Sequence, residues 1–185
     1  MAVRHIIQKV LKNPLLVSQA FQVSTLLCTG DLLGQTVVLR KPINEIDFRR
    51  TLKVGLVGLF IIGPTVSTFF RVLAVTISNK DPYVGLKKML IDQLVFVPFI
   101  LIPLFVTSIN IFVNGNSWEK TKEEIKDKYK DIMKTNYKIW PFVQFVNFNY
   151  VPIAYQVLVT QSVAVLWNTY LTWKTVRINK PEPKK

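Results

Sequence analysis

Four long runs of the chain are apolar almost throughout, at 15–39, 52–77, 89–113 and 153–173. Each holds roughly 21 to 26 residues, and at about 1.5 Å per residue a helix of that length crosses a hydrocarbon core of about 30 Å with some tilt. Backbone amides and carbonyls in lipid need partners inside the protein, so the runs are expected as helices. The short alternating strands that would build a barrel are not visible. The stretch 117–137 has a different pattern. There Trp118, Ile125, Tyr129, Ile132 and Met133 share one helical face, and lysines alternate with acids around the rest. It reads as an amphipathic helix on the membrane surface or against the mouth of a bundle. Next, 139–152 is aromatic and interrupted by Pro141, which reads as a separate lead-in helix at the interface. The expected fold is an all-α membrane protein with one domain over 1–185. It has four transmembrane helices in a bundle and an amphipathic surface helix between spans three and four.

Prolines and glycines mark where these helices bend. Gly63 and Pro64 predict a kink in the second span, and Pro98 and Pro103 predict two bends in the third. Each proline removes a donor from the helix ladder, and the carbonyls it frees must be recaptured by neighbours or water. These four positions are the candidate gate or kink residues. Gly30 and Gly34 make a GxxxG pair in the first span, the spacing that lets a second helix approach closely.

Polar residues fall in stripes. At 100° per residue, Ser24, Cys28, Asp31 and Gln35 share a face of the first span, and Gly63, Ser67 and Arg71 line up in the second. In the third span Asp92, with Gln93 beside it, returns to one face with Phe99, Pro103 and Asn110. In the fourth, Gln156, Thr160, Ala164 and Asn168 form a slowly drifting stripe. Gln144 and Asn147 precede the fourth span. A charge at membrane depth is costly unless it is paired or wet, which gives Asp31, Arg71 and Asp92 particular weight. Their formal charges sum to −1. Arg71 is expected to neutralise one carboxylate and leave the other to water or a cation. Two readings compete: the polar seam holds helices together, or it is hydrated and passes solute.

The chain has 24 Lys and Arg against 11 Asp and Glu, a formal net charge of +13. These cations are spread over the connections and both termini rather than gathered on one face, so direct nucleic-acid binding is not expected. Cations at the ends of apolar runs suit snorkelling and attraction to anionic lipid, which makes membrane lipid the expected partner. One cysteine, Cys28, and one histidine, His5, are too few for a disulfide or a Cys/His zinc site. No metal or cofactor is expected. Nucleophile–base pairs and phosphate loops are lacking too, so an enzyme is not expected. The N-terminal segment has Arg4, Lys9 and Lys12 and no acid before Asp31, a pattern compatible with mitochondrial import. The positive-inside count is a tie, with 11 Lys and Arg on one side of four spans and 12 on the other.

One block of the chain runs Trp140-Pro141-x-x-Gln144-x-x-Asn147-Phe148-x-x-Val151-Pro152, followed by Trp167-Asn168-x-Tyr170-Leu171. Upstream stand Gly30-Asp31-x-x-Gly34-Gln35, Gly63-Pro64, and Lys88-Met89-x-x-Asp92-Gln93 with Pro98. Together these blocks resemble, in order and over nearly the whole chain, the family of Mpv-seventeen and the peroxisomal membrane protein of twenty-two kilodaltons. Length and the segment around Trp167 to Trp173 sit nearer its mitochondrial branch than its peroxisomal one. The resemblance implies a four-span protein of the mitochondrial inner membrane, with the peroxisomal membrane as the alternative. It further implies a channel for small metabolites and a part in mitochondrial DNA upkeep. Its polar blocks fall here on Asp31, Gln35, Asp92, Gln93, Gln144, Asn147 and Asn168. The chain departs from the family where a His and a Trp-Tyr pair often follow Gly-Pro, since Ser67 and Phe69-Phe70 stand here. Gln156 stands where an Arg is usual, and Arg71 where Lys is common.

The leading expectation is a channel or transporter for a small-molecule or ion solute, with the seam as its path. The alternative is a non-transporting membrane scaffold or assembly factor that works through the amphipathic helix. Assembly as a homo-oligomer is left open.

Overall fold

The computed structural model describes residues 15–78 and 82–178, without the side chains of 168 and 170–178. The basic N-terminal segment, His5, Pro14 and the side chains of Asn168, Tyr170 and Trp173 therefore lie outside the described residues.

Among the described residues, all regular structure is helical. Helix α1 is Leu15–Leu33 and runs on as a π-helical turn, Gly34–Val38. After a 3-10 turn at Ile43–Glu45 come α2, Phe48–Thr76, and α3, Val84–Val113. Helix α4 is Trp118–Tyr150 and α5 is Ile153–Ile178. Two helices, α2 with 29 residues and α3 with 30, are long and apolar enough to cross a membrane. The apolar part of α5, Ile153–Trp167, is shorter, and α1 is diluted by Gln19, Gln22, Asp31 and Gln35.

Both α2 and α3 begin four or five residues earlier than their apolar runs do. The Asp47 side chain caps α2, accepting from the Arg50 amide at 2.8 Å, so the helix opens on a polar turn that hydropathy does not register. This places Arg49 and Arg50 on α2, and Lys87 and Lys88 on α3.

The region after α3 differs most from expectation. A single helix, α4, covers both the 117–137 segment and the supposed lead-in, with Pro141 inside it. It does not lie apart on a surface. It packs antiparallel along α3, so that Asn149 adjoins Gly85, Asn136 meets Gln93 and Tyr129 meets Pro98. The anticipated apolar face exists in part: Met133 is buried, but Trp118 is half exposed.

Helices α1 and α2 are also antiparallel, and they touch through small residues. A Cβ on Gly58 would stand 2.9 Å from the Ser24 Cα, and one on Gly63 would stand 2.7 Å from the Ala20 Cα. The close approach therefore belongs to the glycines of α2. A Cβ on Gly30, one half of the anticipated pair, would meet Val165 only at 3.9 Å. Between the helices lies a core of Val23, Val57, Val66, Phe70, Phe96, Phe148 and Val157. Phe69 stacks on Phe96 at 3.7 Å between centroids, and Phe70 meets Phe148 edge-on at 5.2 Å. Outside that core, Phe60, Phe99, Phe142 and Leu166 are each at least 70% exposed. So much apolar surface suits a lipid environment.

Helix α3 carries the most distortion, and its prolines explain why. Residues Asp92–Leu101 are π-helical, a ladder in which an N–H reaches back five residues, as Ile102 N does to the Val97 carbonyl. In such a ladder the missing N–H of Pro98 strands the Gln93 carbonyl, and that of Pro103 strands the Pro98 carbonyl. Helix α4 supplies both donors. The Tyr137 hydroxyl donates to Gln93 O at 3.0 Å and the Tyr129 hydroxyl to Pro98 O at 2.8 Å. Burial, then the neighbouring Tyr137, push the Tyr129 phenol above its ordinary pKa, which keeps it protonated as a donor. The wider π repeat also shifts the phase of α3. Asp92 and Asn110 are buried, whereas Phe99, expected on their face, is 74% exposed.

Replacing Tyr137 or Tyr129 with Phe strands a backbone carbonyl and is expected to lower stability by about 1–3 kcal/mol. In the Tyr137→Phe background, Pro98→Ala restores an N–H for Gln93 O and recovers most of the loss. Thermal unfolding of the purified protein in detergent, read as a double-mutant cycle, checks both outcomes.

Candidate functional site

The two carboxylates anticipated in one seam belong to separate clusters. Asp31 sits near the end of α1 against the start of α2. Its partner is Arg50 rather than Arg71: Arg50 Nη1 meets Asp31 Oδ1 in an ion pair, with the Asp31 side chain 5% exposed. Thr51 Oγ1 donates to Asp31 Oδ2 at 2.6 Å, and Gln35 Nε2 donates to the same oxygen at 2.9 Å. Gln35 Oε1 accepts from the Asp47 amide at 2.8 Å, which ties the α1–α2 connection to the cluster. Higher on the same face, Ser24 Oγ donates to Gly55 O at 2.8 Å, and Cys28 Sγ lies 3.5 Å from Thr51 O. This stripe of α1 therefore holds two helices together along most of its length.

Arg71 makes no ion pair among the described residues, and its Nε is buried without a hydrogen-bond partner. The Ser67 hydroxyl one turn earlier is likewise buried and unpartnered. The expected neutralisation of a carboxylate by Arg71 is thus corrected. Arg50 does it, because α2 begins early enough to carry that residue beside Asp31.

Asp92 is 1% exposed and has no cation within ion-pair distance among the described residues. Two files of amides end on its Oδ2. Along one, Asn136 Nδ2 donates to Gln93 Oε1 at 2.8 Å, and Gln93 Nε2 donates to Asp92 at 2.6 Å. Along the other, Asn147 Nδ2 donates to Gln144 Oε1 at 3.1 Å, and Gln144 Nε2 donates to Asp92 at 2.9 Å. Aligned amide dipoles polarise one another and offset the loss of water around the carboxylate. Asn147 also donates to Thr160 Oγ1 at 2.9 Å, which links the network to α5. Here the sequence-predicted residues Asp92, Gln93, Gln144, Asn147 and Thr160 do come together. Gln156 stands beside them and turns its Nε2 to Val151 O at 3.0 Å.

Asn110 belongs elsewhere. Its Oδ1 accepts from Asn116 Nδ2 at 2.8 Å and its Nδ2 donates to Val106 O at 3.1 Å, so it finishes α3 rather than lining the seam. Asn168 lies on α5 with its side chain outside the described residues. Of the gate or kink candidates, Pro64 and Pro103 stand in the first turn of the α-helical segments that resume after a π stretch. Gly63 closes the π turn Gly58–Ile62, and Pro98 lies inside the π stretch Asp92–Leu101.

Two cavities border these clusters. One, about 380 Å³, is walled by Asp31, Arg50, Gln35, Lys41, Gly30 and Gly34 among others. The second, about 230 Å³, is largely apolar and has Gln93, Asn136, Gln144, Thr160 and Gln161 as its polar lining. Each has room for several waters and offers them the polar partners they need. A third cavity, about 320 Å³, lies where α3, α4 and α5 begin or end, and buried Lys88 lines it with Phe148 and Gln156. Among the described residues, no group of three metal-ligating side chains stands together.

Sequence reasoning missed Arg50, Thr51, Asn136, Gln161 and Lys88. For Asn136 a signal existed: Tyr129, Met133, Asn136, Trp140, Gln144 and Asn147 follow one another at steps of three and four. A polar residue on such a buried stripe must be hydrogen-bonded. For Arg50 and Lys88 the signal was hidden, because both precede the apolar runs.

Residues 110–172 match the model of the Mpv17 / PMP22 family. Over 156 residues the chain is 38% identical to a protein of Xenopus laevis named mitochondrial inner membrane protein Mpv17, covering 84% of this chain and 87% of that one. The Homo sapiens protein of the same name is 37% identical over 163 residues, covering 86% and 90%. A Gibberella zeae protein named SYM1 is 32% identical over 160 residues, covering 85% and 89%. No solved structure matches the chain.

Substitution separates the two roles of the Asp92 carboxylate, charge and acceptor. Asp92→Asn keeps an acceptor oxygen for Gln93 and Gln144 and is expected to cost less than about 1.5 kcal/mol. Asp92→Leu leaves both amides unsatisfied and is expected to cost about 2–5 kcal/mol. Thermal unfolding in detergent ranks the two variants.

Proposed function

We propose, from the premise that the chain belongs to the Mpv17 / PMP22 family, that this mitochondrial inner-membrane protein is a channel or transporter for small polar metabolites or ions. The observation that carries this reading is the pair of cavities among the helices, whose walls bear the Asp31–Arg50 pair and a file of buried amides. In this reading α1 and α5 cross the bilayer with α2 and α3, which makes four spans. Helix α1, the most polar of the four, is held by the glycine-lined contact with α2, and the hydrogen bonds of its stripe compensate for its weak hydropathy. Traffic of metabolites across the inner membrane is also what would connect the protein to mitochondrial homeostasis and to maintenance of mitochondrial DNA.

A second reading, a scaffold or assembly factor, is favoured by one feature. The outward face of α4 carries exposed lysines and acids from 119 to 134, a surface suited to a charged partner.

Purified full-length protein in planar bilayers or liposomes separates the readings. A channel gives discrete currents or solute flux, and Asp31→Asn, which alters the wall of the larger cavity, changes conductance or ion preference. Absence of both current and flux from folded protein contradicts the transport reading. Under the scaffold reading, charge reversal along 119–134 abolishes co-migration with partners on native gels, and Asp31→Asn leaves it intact.

A further inference from the structure

The larger and the smaller cavity adjoin. Leu27 of α1, Phe105 of α3, and Gln161 and Ala164 of α5 line both. These four residues therefore border both a chamber bearing Asp31 and Arg50 and a chamber bearing Gln93, Asn136 and Gln144. Two of them are apolar and bulky, and Ala164 contributes only a methyl group. Gln161 is the one polar member, 7% exposed, and among the described residues its amide makes no hydrogen bond. An amide without a protein partner, on a largely buried residue that lines two cavities, is placed to bind water or a polar group of a solute.

Phe105 is carried by Ile102–Ser108, the α-helical restart that follows the π stretch Asp92–Leu101 and has Pro103 in its first turn. Converting a π turn to an α turn there changes the rotation of everything beyond it, so Phe105 would swing relative to Leu27 and Ala164. Hydrophobic constrictions of this kind close a path by excluding water.

We propose that Leu27, Phe105, Gln161 and Ala164 form the constriction of a single solute path. Phe105 is its apolar plug, and Gln161 is the group that hands a hydroxyl, carbonyl or amide of the solute from one chamber to the other. The inference rests on the transport reading above and adds to it the place of the barrier and a solute class, small molecules rich in uncharged polar groups.

The test uses the purified full chain in liposomes, with radiolabelled mannitol as probe. Phe105→Ala is expected to speed uptake several-fold and Gln161→Leu to slow it several-fold. Phe99→Ala, on the exposed face of the same helix, leaves uptake unchanged. A second measurement does not depend on truncating the plug. In the Cys28→Ser background, Ala164→Cys should lose uptake after treatment with a membrane-impermeant thiol reagent, while the background protein keeps it. If the unsubstituted protein passes mannitol, and neither Phe105→Ala, Gln161→Leu nor the modified Ala164→Cys differs from its control, the constriction lies elsewhere and the inference is overturned while the transport reading stands. If no folded variant, nor the unsubstituted protein, passes mannitol or current, the transport reading itself falls and takes the inference with it.

Discussion

Hydrocarbon offers nothing to a stranded carbonyl or carboxylate, so every such group within α3 must find its partner inside the protein. Helix α4 meets that constraint. Two tyrosine hydroxyls, eight residues apart on α4, reach the two backbone oxygens that prolines five residues apart on α3 leave free. From the same face, Asn136 and Gln144 feed the amide files that end on Asp92. Without α4 the π-helical stretch would carry two unsatisfied carbonyls and an unsolvated acid in an apolar setting, and it would have no reason to persist. The distortion of α3 and the composition of α4 are two halves of one arrangement.

That arrangement also shapes the interior. A regular α3 would present a narrow, even stripe to α1 and α5. The π stretch instead buries Gln93, Phe96 and Val97 together, turns Phe99 outward, and sets Phe105 where the two cavities meet. The Asp31 cluster follows a different logic. There an ion pair and two further hydrogen-bonding side chains, Gln35 and Thr51, clamp the end of α1 to the start of α2, so the acid has a cation of its own. One carboxylate is solved by charge and the other by dipoles, and they lie in different parts of the bundle.

The helical architecture was legible because hydrophobic length is a direct consequence of the solvent. The stripe of α5 and the weight of Asp92, Gln93, Gln144 and Asn147 were legible because polar residues on buried faces are costly. Helix starts were not, since Asp47 caps a turn containing Arg49 and Arg50 that no hydropathy window would include. The continuity of α4 was hidden by Pro141, which reads as a stop although a helix packed along its neighbour tolerates it. Phe99 was placed on the wrong face because a repeat of 3.6 residues was carried through a segment that does not follow it. For Arg71, proximity to a carboxylate was inferred from depth alone, and depth says nothing about which helix faces which.

On the transport reading, the interior between α1, α3 and α5 is wet while the outward face of α3 is dry. Solid-state NMR of the protein in lipid bilayers, reading polarisation transfer from water to side chains, tests it most directly. Strong transfer to the side-chain amides of Gln161 and Gln93, with none to Val95 or Phe99, is expected of a hydrated path. Equal and negligible transfer at all four would mean a dry, packed interior and would contradict it.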